Sequence, residues 1–241
     1  MKKDVLSDII ETVIKMIKAI FIDIDDTLLD FSKCAEYAIK ESCKDFGLSQ
    51  GCDIFPVFEK INAELWQQIE KGEITKSQLY GHRWVTVLEK FGITHIDGQK
   101  FEEHFLEHLS KSAEKIDGAT EILTYLSKKY KIYASSNGPH EQQLNRLKKA
   151  GLLQYFDDVF TSELIGVQKP EKEFFDACIR KIGNITPDET ILIGDSLTAD
   201  ISGGINFNIP TIWLNTKNKD VHAEVTPTHT VKALNEIKNI L

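Results

Sequence analysis

The sequence predicts an α/β protein, a doubly wound and mostly parallel sheet with a helical domain inserted after its first strand. Three observations carry that expectation. From Gly118 onward, short apolar runs alternate with amphipathic segments, the pattern of strands buried on both faces by crossover helices. Three apolar runs end in polar residues: Ala19–Ile22 meets Asp23, Asp25 and Asp26; Lys131–Ser136 meets Asn137 and Gly138; Thr190–Ile193 meets Gly194, Asp195 and Ser196, with Asp200 close behind. In an open parallel sheet that edge is where ligands bind. Finally, residues 31–115 show helical periodicity and no convincing strand.

Taken in order, Leu6, Ile9, Ile10, Val13, Ile14 and Ile17 recur at helical spacing and predict an additional N-terminal helix over residues 1–17. It would cover a sheet edge or make a subunit contact, and Met1 and Met16 both fit as the natural start. Ala19–Ile22 is fully apolar, a strand buried on both faces. Ala35, Ala38 and Ile39 mark a first helix that Gly47 ends. Phe55, Phe58, Ile61, Leu65 and Ile69 form a stripe over Ile54–Glu70. Thr75–Phe91 opens on a capping residue and stops at Gly92, and Phe101, Phe105 and Leu109 mark a fourth helix. These helices make a cap domain, 31–115, expected over the carboxylates that precede it, against a core of 18–30 and 116–241. Within the core, helices are predicted over Ala119–Lys128, Glu141–Ala150 and Glu171–Ile182, and strands at Asp158–Thr161 and finally Thr211–Leu214. Val231–Ile240 reads as a closing helix.

Composition narrows the setting. The 241 residues are 41% hydrophobic and 27% charged, as in an ordinary globular protein, and the formal charge of -8 argues against nucleic-acid polymers and anionic membranes as partners. No apolar run is long enough to span a bilayer and no secretory pattern opens the chain, so a cytoplasmic protein is expected. Cys34, Cys43, Cys52 and Cys178 form no close pair, which fits reduced thiols. A monomer and a homodimer are equally consistent with the sequence.

Four pieces, Asp23-Ile24-Asp25-Asp26-Thr27, Ser136-Asn137, Lys169-Pro170 and Gly194-Asp195-Ser196 with Asp200, resemble in order and spacing the four motifs of the haloacid dehalogenase-like hydrolases. The resemblance extends over nearly everything after residue 18. It implies a Rossmann-like core and, with the helical insertion after the first motif, a phosphatase. A closer similarity is to the pyrimidine 5'-nucleotidases of that group. It rests on Phe21–Phe31, Ile61–Trp66, Glu70–Thr75, Ser136–Gly138 and Gly194–Asn206.

The residues themselves suit that chemistry. Hydrolysis of a phosphomonoester must bring an anionic nucleophile to a dianion and protonate the leaving oxygen. Asp23 is the candidate nucleophile, forming an aspartyl-phosphate. Asp25, two residues on and on the same side of an extended backbone, is the candidate acid and base. Crowded carboxylates need a cation, and Mg²⁺ suits an oxygen-only shell from Asp23, a backbone carbonyl near Asp25, Asp195, phosphate and water. The resemblance gives Asp200 either direct contact or a role through water. Ser136 and the Asn137-Gly138 turn offer donors to the phosphoryl group, Ser136 standing where many relatives carry Thr, and Ser196 offers a hydroxyl to the metal network. Lys169 would neutralise charge shared by phosphate and Asp23. Asp26 receives no chemical step. In the cap, Asn62, Trp66 and Arg83 are the candidate specificity residues, although Trp66, Trp84, Phe55, Phe58 and Tyr80 recur at helical spacing, where aromatics are more often core than ligand platform. His104 and His108 lie on one helix face, and with no third ligand near them in sequence they read as a solvated face.

The expected reaction is therefore Mg²⁺-dependent hydrolysis of a small phosphomonoester such as a nucleoside 5'-monophosphate. The same chemistry on a sugar phosphate or phosphoglycolate is the nearest alternative. Dehalogenation needs neither Asp25 nor Asp195, and a silent binding protein has no use for the full set.

Overall fold

The computed structural model describes residues 17–48, 51–220 and 225–241, with the side chains of all but 51 and 52. The N-terminal helix expected over 1–17 and the choice between Met1 and Met16 lie outside the described residues, Ile17 excepted. Six strands, β1 (Ala19–Ile22), β2 (Lys131–Ser136), β3 (Asp158–Thr161), β4 (Thr190–Gly194), β5 (Thr211–Leu214) and β6 (His229–Val231), form one sheet in the order β3-β2-β1-β4-β5-β6. Every neighbouring pair is parallel. The apolar β1 is central and wholly buried, as four consecutive apolar residues require. Strand order reverses there, since β2 lies on one side of β1 and β4 on the other. Ile22 pairs with Ala134 and with Ile193, so the polar residues that follow these three strands emerge level at one sheet edge.

Two elements depart from the sequence reading. The sheet does not end at β5, because His229–Val231 adds a sixth strand paired with Ile212–Leu214. Three residues, two of them polar, carry too little alternation to announce a strand. The closing helix is shorter than the Val231–Ile240 read from sequence, a 3-10 helix over Leu234–Asn239. Its buried residues, Leu234 and Ile237, are three apart, the spacing that a three-residue turn places on one side.

One face of the sheet is packed with aromatic side chains. Phe21 meets Phe175 edge-on at 5.5 Å, and Tyr133, Phe160, Phe174 and Phe207 complete the cluster.

A second unit comprises residues 29–114 and 141–151. It contains helices α1 (Phe31–Asp45), α2 (Gly51–Glu70), α3 (Lys76–Lys90) and α4 (Gly98–Ser110), while α5 (Ala119–Leu126) belongs to the sheet unit. All but the first residue of α6 (His140–Lys149) groups with the helical unit, which is therefore wider than the 31–115 read from sequence. Arg146 of α6 donates from Nε to the Ser112 carbonyl at 3.3 Å, a contact no hydrophobic pattern announces. Asp30 caps α1, Asp97 caps α4, and Thr75 and Gln78 form a reciprocal box at the start of α3. The interior of this unit is its own, built on Cys34, Ala38, Phe58, Trp84, Phe101 and Phe105. Cys34, Cys43 and Cys178 are buried free thiols. No helix among the described residues is long and apolar enough to cross a membrane.

Candidate active site

β1 delivers Asp23 to the sheet edge, where its N–H donates to the Ile193 carbonyl at 2.9 Å, so β4 fixes the backbone beside it. The chain then turns, with Asp26 at φ 58° and the Leu28 N–H returning to the Ile24 carbonyl at 2.9 Å. Asp25 and Asp26 stand half-buried in this turn, and Lys217 pairs with Asp26 at 3.0 Å. That ion pair gives Asp26 a structural partner.

The centre of the site is the buried ammonium of Lys169. Its Nζ donates to Asp23 Oδ1 at 2.7 Å, to Asp200 Oδ1 at 2.6 Å and to the Ser135 carbonyl at 2.7 Å. Three hydrogens and three acceptors saturate the group. The carboxylates of Asp23, Asp195 and Asp200 each bring an oxygen within 4.8 Å of the others, an acidic cluster with one lysine inside it. The electrostatic consequences follow. Burial raises the Asp23 carboxyl well above its ordinary range; Lys169 opposes this, and Asp200 and Asp195 add to it. Asp195 is pushed up to about 7, by burial first and then by Asp200 and Asp26. For Lys169 burial pulls downward, but Asp200 and Asp23 outweigh it and hold the ammonium above its ordinary value.

Asp200 is wholly buried, and its second oxygen accepts the Ser196 N–H at 3.1 Å. Gly194 makes room for it, because a Cβ there would lie 2.2 Å from Asp200 Oδ2. Here the glycine serves close approach, a requirement the sequence shows only as a motif letter. Ser196 does not direct its hydroxyl into the carboxylate network as the sequence suggested. The Oγ accepts the Ala199 N–H at 3.0 Å and caps the turn Leu197–Ile201. Trp213 donates from Nε1 to the Asp195 carbonyl at 2.9 Å, and Lys219 lies 3.6 Å from the Asp195 carboxylate. Neither residue was singled out in the sequence, where both lie beyond the last recognisable motif.

At the end of β2, Ser136 is buried and its Oγ accepts the Gly138 N–H at 3.0 Å. The Asn137 side chain brackets Lys169: Nδ2 donates to the Lys169 carbonyl at 2.9 Å and Oδ1 accepts the Lys169 N–H at 2.9 Å. Its side chain therefore positions the lysine. The proposed phosphate donors at this turn are backbone groups and the Ser136 hydroxyl.

The structure thus brings together Asp23, Lys169, Asp195 and Asp200, with Ser135 and Asn137 holding the lysine. The cap candidates Asn62, Trp66 and Arg83 belong to the helical unit. Arg83 donates from both Nε and Nη2 to Glu102 and from Nη1 to Asn62 Oδ1 at 2.7 Å, all three side chains being buried within the helical unit. Glu102 is raised by burial, with Arg83 opposing. Trp84 is fully buried, whereas Trp66 keeps part of its surface accessible.

The donor set of the acidic cluster is carboxylate oxygen throughout, with more negative charge than Lys169 cancels. That combination fits a hard divalent cation. The haloacid dehalogenase-like hydrolase family profile matches residues 17–208. The HAD-hydrolase YfnB of Bacillus subtilis is 33% identical over 94% of this chain and 96% of its own length. The pyrimidine 5'-nucleotidase PynA of Streptococcus pneumoniae is 32% identical over 93% of this chain and 97% of its own. A crystal structure of B. subtilis YfnB bound to magnesium superposes with a TM-score of 0.89, covering 93% of this chain and 98% of that one at 32% identity. The chain belongs to the haloacid dehalogenase-like hydrolases.

Proposed function

We propose that this protein is a Mg²⁺-dependent phosphatase that hydrolyses a small phosphomonoester through an aspartyl-phosphate on Asp23. The observation that carries the reading is the cluster of buried Asp23 and Asp200 and half-buried Asp195 beside the buried Lys169, level with the ends of β1, β2 and β4. Asp23, Asp195 and Asp200 would hold the ion, with Asp25 contributing through its backbone, and Mg²⁺ there supplies the positive charge that lets a phosphate dianion approach a carboxylate.

The chain's own residues account for the remaining steps. Lys169 engages Oδ1 of Asp23, which orients the carboxylate and leaves Oδ2 to attack phosphorus. The bond from phosphorus to the ester oxygen breaks as the bond to Asp23 forms, and Asp25 gives its proton to the departing oxygen. Asp25 then takes a proton from water as that water attacks phosphorus, releasing inorganic phosphate and restoring Asp23. Ser136 donates its hydroxyl to a phosphoryl oxygen while its Oγ accepts the Gly138 N–H.

The proposed substrate is a nucleoside 5'-monophosphate, with pyrimidines preferred. Support comes from PynA and from the pyrimidine 5'-nucleotidase YjjG of Escherichia coli, 30% identical over 92% of this chain and 96% of its own. Because Arg83 is committed to Glu102 and Asn62 to Arg83, Trp66 is the remaining candidate for contact with the base. The test is phosphate release from pyrimidine and purine monophosphates, sugar phosphates and phosphoglycolate, with Mg²⁺ and with chelator. Mg²⁺-dependent turnover led by pyrimidine monophosphates is expected. Turnover confined to sugar phosphates or phosphoglycolate would reject the nucleotidase reading and retain the chemistry; turnover in chelator would reject the chemistry.

A further inference from the structure

We propose that Asp45, His104 and His108 form a second metal site, on the helical unit, that takes a divalent transition ion such as Zn²⁺. The two histidines sit four residues apart on α4 and share one face, and the third ligand missing from their sequence neighbourhood is supplied by the fold. Asp45 ends α1, and its Oδ2 lies 2.8 Å from His104 Nδ1 and 2.8 Å from His108 Nε2. One ligand atom from each of the three residues falls within 4.8 Å of the others.

The arrangement has what a metal needs. Two rings on one helix aim different nitrogens, one Nδ1 and one Nε2, at a single carboxylate oxygen, so three ligand atoms converge on a point. The His104 ring is fixed independently of Asp45, edge-on to Phe46 at 4.9 Å, and Phe46 in turn stacks on Phe101 at 5.2 Å. Bonds of about 2.0–2.2 Å in a tetrahedral zinc site put ligand atoms roughly 3.3 Å apart, so the present contacts need to open by about half an ångström. The side chains have room for this, being 39% exposed at Asp45 and 44% at His104. Each imidazole carries its proton on its other nitrogen when it ligates, which leaves its charge unchanged.

Ligand type separates this site from the carboxylate cluster. Two imidazole nitrogens and one carboxylate oxygen suit zinc, cobalt, nickel or copper, whereas magnesium prefers oxygen alone. Three protein ligands leave a fourth position for water. A bound ion would clip the end of α1 to the last turns of α4, joining positions 59 and 63 residues apart in the chain.

The test uses the full chain, stripped with chelator and re-equilibrated in excess Mg²⁺, then titrated calorimetrically with Zn²⁺ and spectroscopically with Co²⁺. We expect one equivalent of Zn²⁺ to bind with Mg²⁺ present, visible Co²⁺ bands, and a higher Tm with Zn²⁺. His104→Ala and His108→Gln should abolish the Co²⁺ bands and the Zn²⁺-dependent rise in Tm. Asp45→Asn, which keeps an oxygen to accept both ring hydrogens and so preserves the metal-free fold, should do the same. Asp195→Asn should leave Zn²⁺ binding unchanged. Failure of the wild type to bind Zn²⁺ in Mg²⁺, or binding that persists in the histidine variants, would overturn the site.

Discussion

Arg83 in the helical unit and Lys169 in the sheet unit are both buried cations, 2% and 1% exposed, and they are solvated by the protein in opposite ways. Arg83 faces one carboxylate, Glu102, which it grips through two nitrogens, and around it lie the Asn62 carbonyl oxygen and the faces of Phe105 at 5.0 Å, Phe58 at 5.3 Å and Tyr80 at 5.6 Å. Charge there cancels one to one. Lys169 faces Asp23 and Asp200 directly, with Asp195 in the same cluster. A fold that needed only stability would gain nothing by crowding two further carboxylates into the cluster. The matched cluster holds helices together; the unmatched one is built to receive positive charge.

Replacing one group in each cluster is the strongest way to break this comparison. Asp23→Asn removes the nucleophile and should lower kcat by about 10⁴-fold or more, while lifting a buried charge and leaving the fold intact. Turnover measured beside a thermal melt checks both halves; activity that survives would sink the mechanism. Arg83→Met should do the reverse. It leaves Glu102 buried without its cation and should cost roughly 3–5 kcal/mol of stability in urea unfolding, with kcat of the folded protein nearly unchanged on a minimal aryl phosphate. Adding Glu102→Leu should recover most of the loss. If the double variant stays as unstable as the single, Arg83 does more than balance Glu102.

The same contrast explains what was legible in the sequence. The apolar strands announced the sheet because burial on both faces demands continuous apolar runs, and their polar endings announced the edge at which Asp23, Asp195 and Lys169 meet. Single residues were legible only where the chain around them is regular. Nothing local ties Arg83 to Glu102 or Asp45 to His104, since each pair is joined by helix packing between distant turns. Asn137 was visible as a turn residue, but its hold on Lys169 depends on a loop 32 positions on. The β6 strand was hidden for a different reason, being too short to develop a period, and it takes up the first residue of the segment read as the closing helix.

Excess negative charge also sets a pH dependence. Burial and the neighbouring carboxylates push Asp195 up to about 7 from an ordinary value of 3.8, and burial raises Asp23 as well. Between those limits the metal-free fold retains protons that the unfolded chain has released, so these groups lower its stability as pH rises toward 7. Mg²⁺ competes with the same protons. The rise in Tm on adding Mg²⁺ should therefore be small near pH 5 and grow to a plateau above about pH 7. Comparing melts with Mg²⁺ and with chelator at each pH cancels the contribution of other groups, and an increment that does not vary with pH would refute the assignment.

The smallest expected effect separates positioning from contact. The Asn137 side chain makes two hydrogen bonds to the Lys169 backbone, and its own carbonyl accepts from Ser162 Oγ at 3.0 Å, so it links the end of β2 to the segment that carries the lysine. Asn137→Ala removes both side-chain bonds but leaves Nζ anchored by Asp23, Asp200 and the Ser135 carbonyl. With the ammonium still held, the loss should be about 1–2 kcal/mol, roughly tenfold in kcat, with KM little changed. A side chain that touched phosphate would give another signature, since its removal would raise KM and weaken inhibition by inorganic phosphate. The division of the loss between kcat and KM therefore tells whether Asn137 serves the substrate or the lysine.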